Sequence, residues 1–190
     1  MWIVSRFLAI ILKILAILKG VSMPKANICL IGLSNQFIDK NALELSKKLD
    51  MFYANASEII QFELFDISRM EEMCGKDYLE KKETAVLKRI CTYENTVINI
   101  EYQLLNTETN YKFIKENCLI IYLKLSLNRY KKEILEEKMS DSAKSLNIDL
   151  FKDRDFICSK KADIVVDCKD MYGEELLGLI MQKLLGYYEK

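Results

Sequence analysis

Histidine does not occur anywhere in the 190-residue chain. Its absence removes the commonest general base and the commonest zinc ligand, so mechanisms built on either are excluded. Proline occurs once, at Pro24, and no long linker or internal repeat interrupts the chain. With 51% hydrophobic residues, that continuity suits one globular domain with a sizeable core. An excess of either charge is missing too, since Lys+Arg and Asp+Glu are both 28. No overall field is available to hold nucleic acid, which is not expected as a partner. Paired cysteines are absent as well. Cys29, Cys74, Cys91, Cys118, Cys158 and Cys168 are scattered with no C-x-x-C spacing, which suits free thiols, mostly buried, in a reducing cytoplasm.

What the chain does have is a strand, a turn and a helix near its beginning. Asn27-Ile28-Cys29-Leu30-Ile31 is a short apolar run ending in Gly32, a polar turn is expected over 33–39, and a helix then carries Ala42, Leu45 and Leu49 at helical spacing. In a parallel α/β sheet this connection is where phosphate-binding proteins place their loop, because backbone N–H groups at the helix N-terminus point at an anion. Further strands are expected at 51–56, 96–100, 118–123 and 162–167. Helices are expected at 57–69, 78–91, 107–116 with Thr107 as cap, 127–138 and 174–188, with a polar lid-like stretch at 139–149. The alternation predicts an α/β three-layer sandwich, a mainly parallel sheet flanked by helices.

Ahead of this domain, 23–190, lies a separate apolar segment, 1–22. Its basic residues Arg6 and Lys13 are seven apart and share one helical face. The segment reads as an interfacial anchor touching the inner face of a membrane through residues 1–20, as an upstream mis-start before Met23, or as a helix packed on the domain.

The order of pieces resembles the shikimate kinases, small P-loop kinases of the nucleoside-monophosphate-kinase type. The resemblance spans about Asn27 to Leu185. It is carried by Asn27 to Gly32, the spacing of Leu45 and Leu49, Gly75-Lys76-Asp77-Tyr78-Leu79, Leu119-Ile120-Ile121-Tyr122-Leu123, Asp153-Arg154-Asp155-Phe156 and Ala162-Asp163-Ile164-Val165-Val166. As the resemblance implies, such kinases move the γ-phosphate of ATP onto a hydroxyl of shikimate using magnesium, with a lid closing over the nucleotide.

The functional positions depart from that pattern. The family loop reads G-x-x-G-x-G-K-[ST]; laid from Gly32 without gaps it puts Asn35 and Phe37 at the later glycines, Ile38 at the lysine and Asp39 at the hydroxyl. Phosphate needs close backbone approach and a cation, and magnesium needs the hydroxyl. Here the cation position is apolar, and Asp39 is expected to cap the helix and compete for the anion site. The remnant of the nucleotide loop is therefore Gly32, Ser34, Asp39 and Lys40. On the substrate side, the D-x-D segment corresponds to Asn55 with Ala54 and Ala56, the glycine triplet becomes Glu101-Tyr102-Gln103, and the arginine of F-R-x-x-E falls on Glu80. Arg154 matches the family's substrate-binding arginine and is the remaining candidate to grip an anion, against the alternative of an ion pair with Asp153, Asp155 or a nearby glutamate. Lys138 and Lys144 stand where lid arginines are expected, and Lys131-Lys132-Glu133 and Glu136-Glu137-Lys138 read as solvated helix-surface pairs.

The expectation is a cytoplasmic shikimate-kinase-like domain that has lost phosphoryl transfer and binds an unidentified protein or small anionic ligand. No catalytic residue, metal site or cofactor is assigned. The alternative is an active ATP- and magnesium-dependent kinase with an atypical loop built on Lys40 and Arg154.

Overall fold

The structure is a computed structural model that describes residues 25, 27–65, 67–137 and 139–189. The apolar segment 1–22 and Lys138 of the expected lid lie outside the described residues. Five strands form one sheet: β1 (Asn27–Ile31), β2 (Phe52–Asn55), β3 (Thr96–Asn99), β4 (Cys118–Lys124) and β5 (Ile164–Asp167). Their order is β2-β3-β1-β4-β5 and every pairing is parallel. Around them run α1 (Asn35–Leu49), α2 (Ala56–Leu64), α3 (Ile67–Cys74), α4 (Lys76–Cys91), a 3-10 turn (Tyr102–Leu105), α5 (Glu108–Asn117), α6 (Leu127–Glu136), α7 (Asp141–Asp149), α8 (Phe151–Lys161) and α9 (Gly173–Tyr188).

The three-layer α/β architecture follows from burial. All five residues of the central strand β1 are buried, as are the first six of β4, which is what a strand covered on both faces requires. The edge strand β5 alternates instead, with Ile164 and Val166 inward and Val165 and Asp167 outward. On α9 the stripe Leu176, Ile180, Leu184 recurs every four residues and is buried. Five of the six cysteines, all except Cys74, are buried free thiols.

Several elements differ from the sequence reading. α1 begins at Asn35, not near Lys40: Ser34 caps it and Ile38 starts the buried stripe that Ala42 and Leu45 continue. The expected helix over 57–69 is two helices, because Phe65 takes a left-handed φ of 57° that ends the first. The lid-like stretch 139–149 contains helix α7, capped by the Ser140 hydroxyl. α8 was not expected at all. Thr107 sits at the start of α5, but its side chain makes no capping bond.

Candidate functional site

The β1–α1 connection is three residues long, Gly32-Leu33-Ser34, and then the helix has begun. Ser34 is fully buried; its hydroxyl accepts from the Phe37 N–H at 3.4 Å and donates to Glu137 Oε1 at 2.7 Å. Glu137 is thus not the solvated helix-surface residue expected. Its carboxylate lies at the α1 N-terminus, where the helix dipole favours negative charge. Ile38 is 2% exposed and folds back over the turn. A Cβ placed on Gly32 would fall 2.2 Å from Ile38 Cδ1, so glycine is needed there to admit the isoleucine.

Asp39 does not cap the helix, a role taken by Ser34 one turn earlier. It points instead at the C-terminal ends of β2 and β3. There Oδ1 accepts from the Asn55 side-chain amide at 2.7 Å, from the Asn99 amide at 3.2 Å and from the Tyr53 hydroxyl. Asn55 also caps α2 through its Oδ1, so both ends of its amide are committed. Burial first, and then the bond to Asp39, hold the Tyr53 phenol well above its ordinary range. Asp39→Asn is therefore expected to bring that phenol down while leaving it above the ordinary value, because burial remains. An alkaline absorbance titration, differenced against Tyr53→Phe, reads the shift.

Lys40 is exposed and lines a cleft of about 310 Å³ between α1, α6 and α9. Two lysines, Lys40 and Lys132, face three glutamates there, Glu44, Glu133 and Glu136. The cleft wall is held by Arg129, which the sequence reading passed over. Arg129 is 2% exposed, and its Nη1 donates to the carbonyls of Lys169 and Met171 at 2.8 Å and of Cys168 at 3.4 Å. Its guanidinium lies 3.8 Å from the Tyr172 ring centroid and 4.7 Å from that of Phe37. One buried cation thus ties α1 and α6 to the turn before α9.

Arg154 does not line this cleft. It donates to the Asn147 side-chain oxygen and lies 5.0 Å from the Tyr102 ring centroid. The neighbouring Asp155 is the ion-pair member, bonded to the Tyr122 hydroxyl at 2.8 Å and Lys124 Nζ at 2.7 Å. Lys144 donates to the Leu135 carbonyl at 2.9 Å. Gly32, Ser34 and Asp39 are therefore gathered around the first turn of α1, Lys40 lines the cleft, and Arg154 on α8 is engaged with Asn147 and Tyr102 instead of lining that cleft.

Among solved structures, the chain is similar to a shikimate kinase from Acinetobacter baumannii in complex with shikimate, at 19% identity and TM-score 0.73, covering 87% of this chain and 96% of that one. It is similar to a shikimate kinase from Aquifex aeolicus at 26% identity and TM-score 0.67, covering 84% and 96%. The shikimate kinase of Bacteroides thetaiotaomicron matches at 15% identity and TM-score 0.69, covering 87% and 99%. Comparison with curated proteins finds no match. The family model for shikimate kinase matches residues 41–185, a span that opens beyond the β1–α1 turn. Sheet order, helical layers and that match across most of the chain agree: this chain belongs to the shikimate kinase family.

Proposed function

We propose that this shikimate-kinase-family domain has lost phosphoryl transfer and serves as a binding or regulatory domain for a protein partner or a small ligand. The observation that carries the reading is the packing of Ile38 against Gly32. A loop that wraps a triphosphate needs open backbone N–H groups and a cation, and the turn here holds a buried aliphatic side chain instead. The residues around it fit a magnesium-bound triphosphate no better. Glu137 puts a carboxylate on Ser34 at the helix N-terminus, where an entering phosphate would meet like charge. Asp39 is turned to β2 and β3, where its Oδ1 is occupied by two amides and a phenol.

A working kinase built on Lys40 and Arg154 would need both cations at one phosphate. Lys40 lines the cleft beside α9 and Arg154 does not. We place the domain in the cytoplasm, with residues 1–20 as its contact with a membrane surface; co-sedimentation with liposomes, with and without residues 1–22, tests that contact. The chemical reading is tested by incubating pure protein with ATP, magnesium and shikimate and measuring phosphate transfer. No product above the protein-free blank is expected. Steady turnover would overturn the reading.

A further inference from the structure

We infer that Cys91 and Cys118 are a latent cross-link: a peroxide joins their sulfurs into a disulfide that fastens the end of α4 to the start of β4. This goes beyond the loss of phosphoryl transfer and does not depend on it. Both are free thiols in the structure, 1% and 0% exposed. What brings them together is Asn27, itself 3% exposed. On β1 it stands opposite Cys118 in the parallel register, while its side-chain amide donates to the Cys91 carbonyl at 3.0 Å and to the Tyr93 carbonyl. Its Oδ1 accepts from the Thr96 N–H at 3.0 Å, so both ends of the amide are committed. One buried side chain thus holds the backbone of Cys91 against the strand pair that carries Cys118. A disulfide demands such registration, because its two Cα atoms must lie within about 7 Å.

The two side chains also meet directly. Hydrogen bonding with Cys91, then burial, push the Cys118 thiol far above its ordinary range. Cys29, two residues along β1 from Asn27, is the third thiol of the group; burial and then the charge of Cys91 raise it, but without a hydrogen bond between them. Cys118 is therefore the partner in contact. The reactive form of a thiol is the thiolate, so a buried, protonated Cys118 is oxidised only when the fold opens locally. Cys91 ends α4 and Cys118 begins β4, and residues 92–94 between α4 and β3 are exposed, so opening starts at this corner. The first sulfur exposed takes one oxygen from hydrogen peroxide, becoming a sulfenic acid and releasing water. The second thiol then displaces that oxygen as water and the S–S bond forms. Two thiols give up two protons and two electrons, and one peroxide becomes two waters.

The test uses the full chain carrying Cys74→Ser, which removes the exposed thiol. The protein is treated with hydrogen peroxide, remaining thiols are alkylated in denaturant, and the digest is read by mass spectrometry. One bridged peptide pair is expected, Cys91 to Cys118, with Cys29, Cys158 and Cys168 alkylated. The melting temperature should rise by about 5 °C or more and return on reduction with dithiothreitol, since the bridge restrains the unfolded chain. Urea below the unfolding transition should speed bridging severalfold, because opening limits it. Cys91→Ala and Cys118→Ala should each abolish the bridge and the rise, while Cys158→Ala leaves the bridge in place; melting curves of the reduced variants show that they fold. A chain in which Cys91 and Cys118 are never bridged, a bridge from Cys29 to either of them, or a bridge that lowers the melting temperature would each overturn the assignment. ATP turnover would overturn the proposed loss of transfer and leave this cross-link standing.

Discussion

Arg129→Ala lowers the free energy of unfolding by about 4 kcal/mol, as expected for removing a buried, hydrogen-bonded cation. The residue is buried in a helix otherwise rich in exposed lysine and glutamate, and it binds three backbone carbonyls through Nη1 and the Glu133 carboxylate through Nε at 3.5 Å. Removing the guanidinium strips the side-chain donor from the part-buried carbonyls of Lys169 and Met171, while that of Cys168 keeps the Met171 N–H at 2.9 Å, and each acceptor left unpaired costs about 1–3 kcal/mol. It also removes the cation that lies on the Phe37 and Tyr172 rings and leaves a gap beside the buried Phe37. For a domain of this size the melting temperature should fall by about 8–16 °C, read by calorimetry. Arg129→Lys should recover only part of the loss, because an ammonium keeps the charge but cannot reach the carbonyls from Nη1 and Glu133 from Nε at once, nor lie flat on the rings. Equal stability of Arg129→Lys and wild type would show that charge alone matters there.

The second large effect lies in the turn between β1 and α1. Ile38→Ala should cost about 2–5 kcal/mol, the usual range for emptying a fully buried aliphatic site. Gly32→Ala should cost about 1–3 kcal/mol, since its new methyl collides with Ile38 Cδ1 and Cγ1. The double variant should then be more stable than the sum of the two losses, because the alanine methyl at 32 enters the space that the shortened side chain at 38 vacates. Denaturant unfolding of all four proteins gives the coupling energy, about 1 kcal/mol or more in favour of the pair. Strict additivity would mean that Ile38 does not fill the turn.

Much of the scaffold was legible because parallel strands buried on both faces are unbroken apolar runs. Asn27 to Ile31 and Cys118 to Leu123 announce themselves in that way, and α9 does so through Leu176, Ile180 and Leu184. The early start of α1 could also have been found. Ile38, Ala42, Leu45 and Leu49 continue one helical stripe backwards, and Ser34 stands where a cap belongs; the polar pair Asn35 and Gln36 disguised it as loop.

The site was legible only as losses. That Ile38 and Asp39 fall at the lysine and hydroxyl of a phosphate loop is written in the chain, but what they do instead is not. Asp39 finds Tyr53, Asn55 and Asn99, residues 14, 16 and 60 positions away, and Glu137 finds Ser34 across 103 positions. Periodicity carries no record of such pairs. Arg129 was hidden for a related reason: beyond Glu133 one turn on, its partners are carbonyls 39 to 42 residues downstream, and any residue type can supply a carbonyl.

The central claim is that the turn after β1 is closed by Ile38 and screened by Glu137, so that no triphosphate enters it. Calorimetric titration of the full chain with magnesium-bound ATP tests this most directly. The account predicts no saturable heat up to about 1 mM nucleotide, and the same for Lys40→Ala. Binding with a dissociation constant of about 10 μM or tighter, abolished by Lys40→Ala, would contradict it.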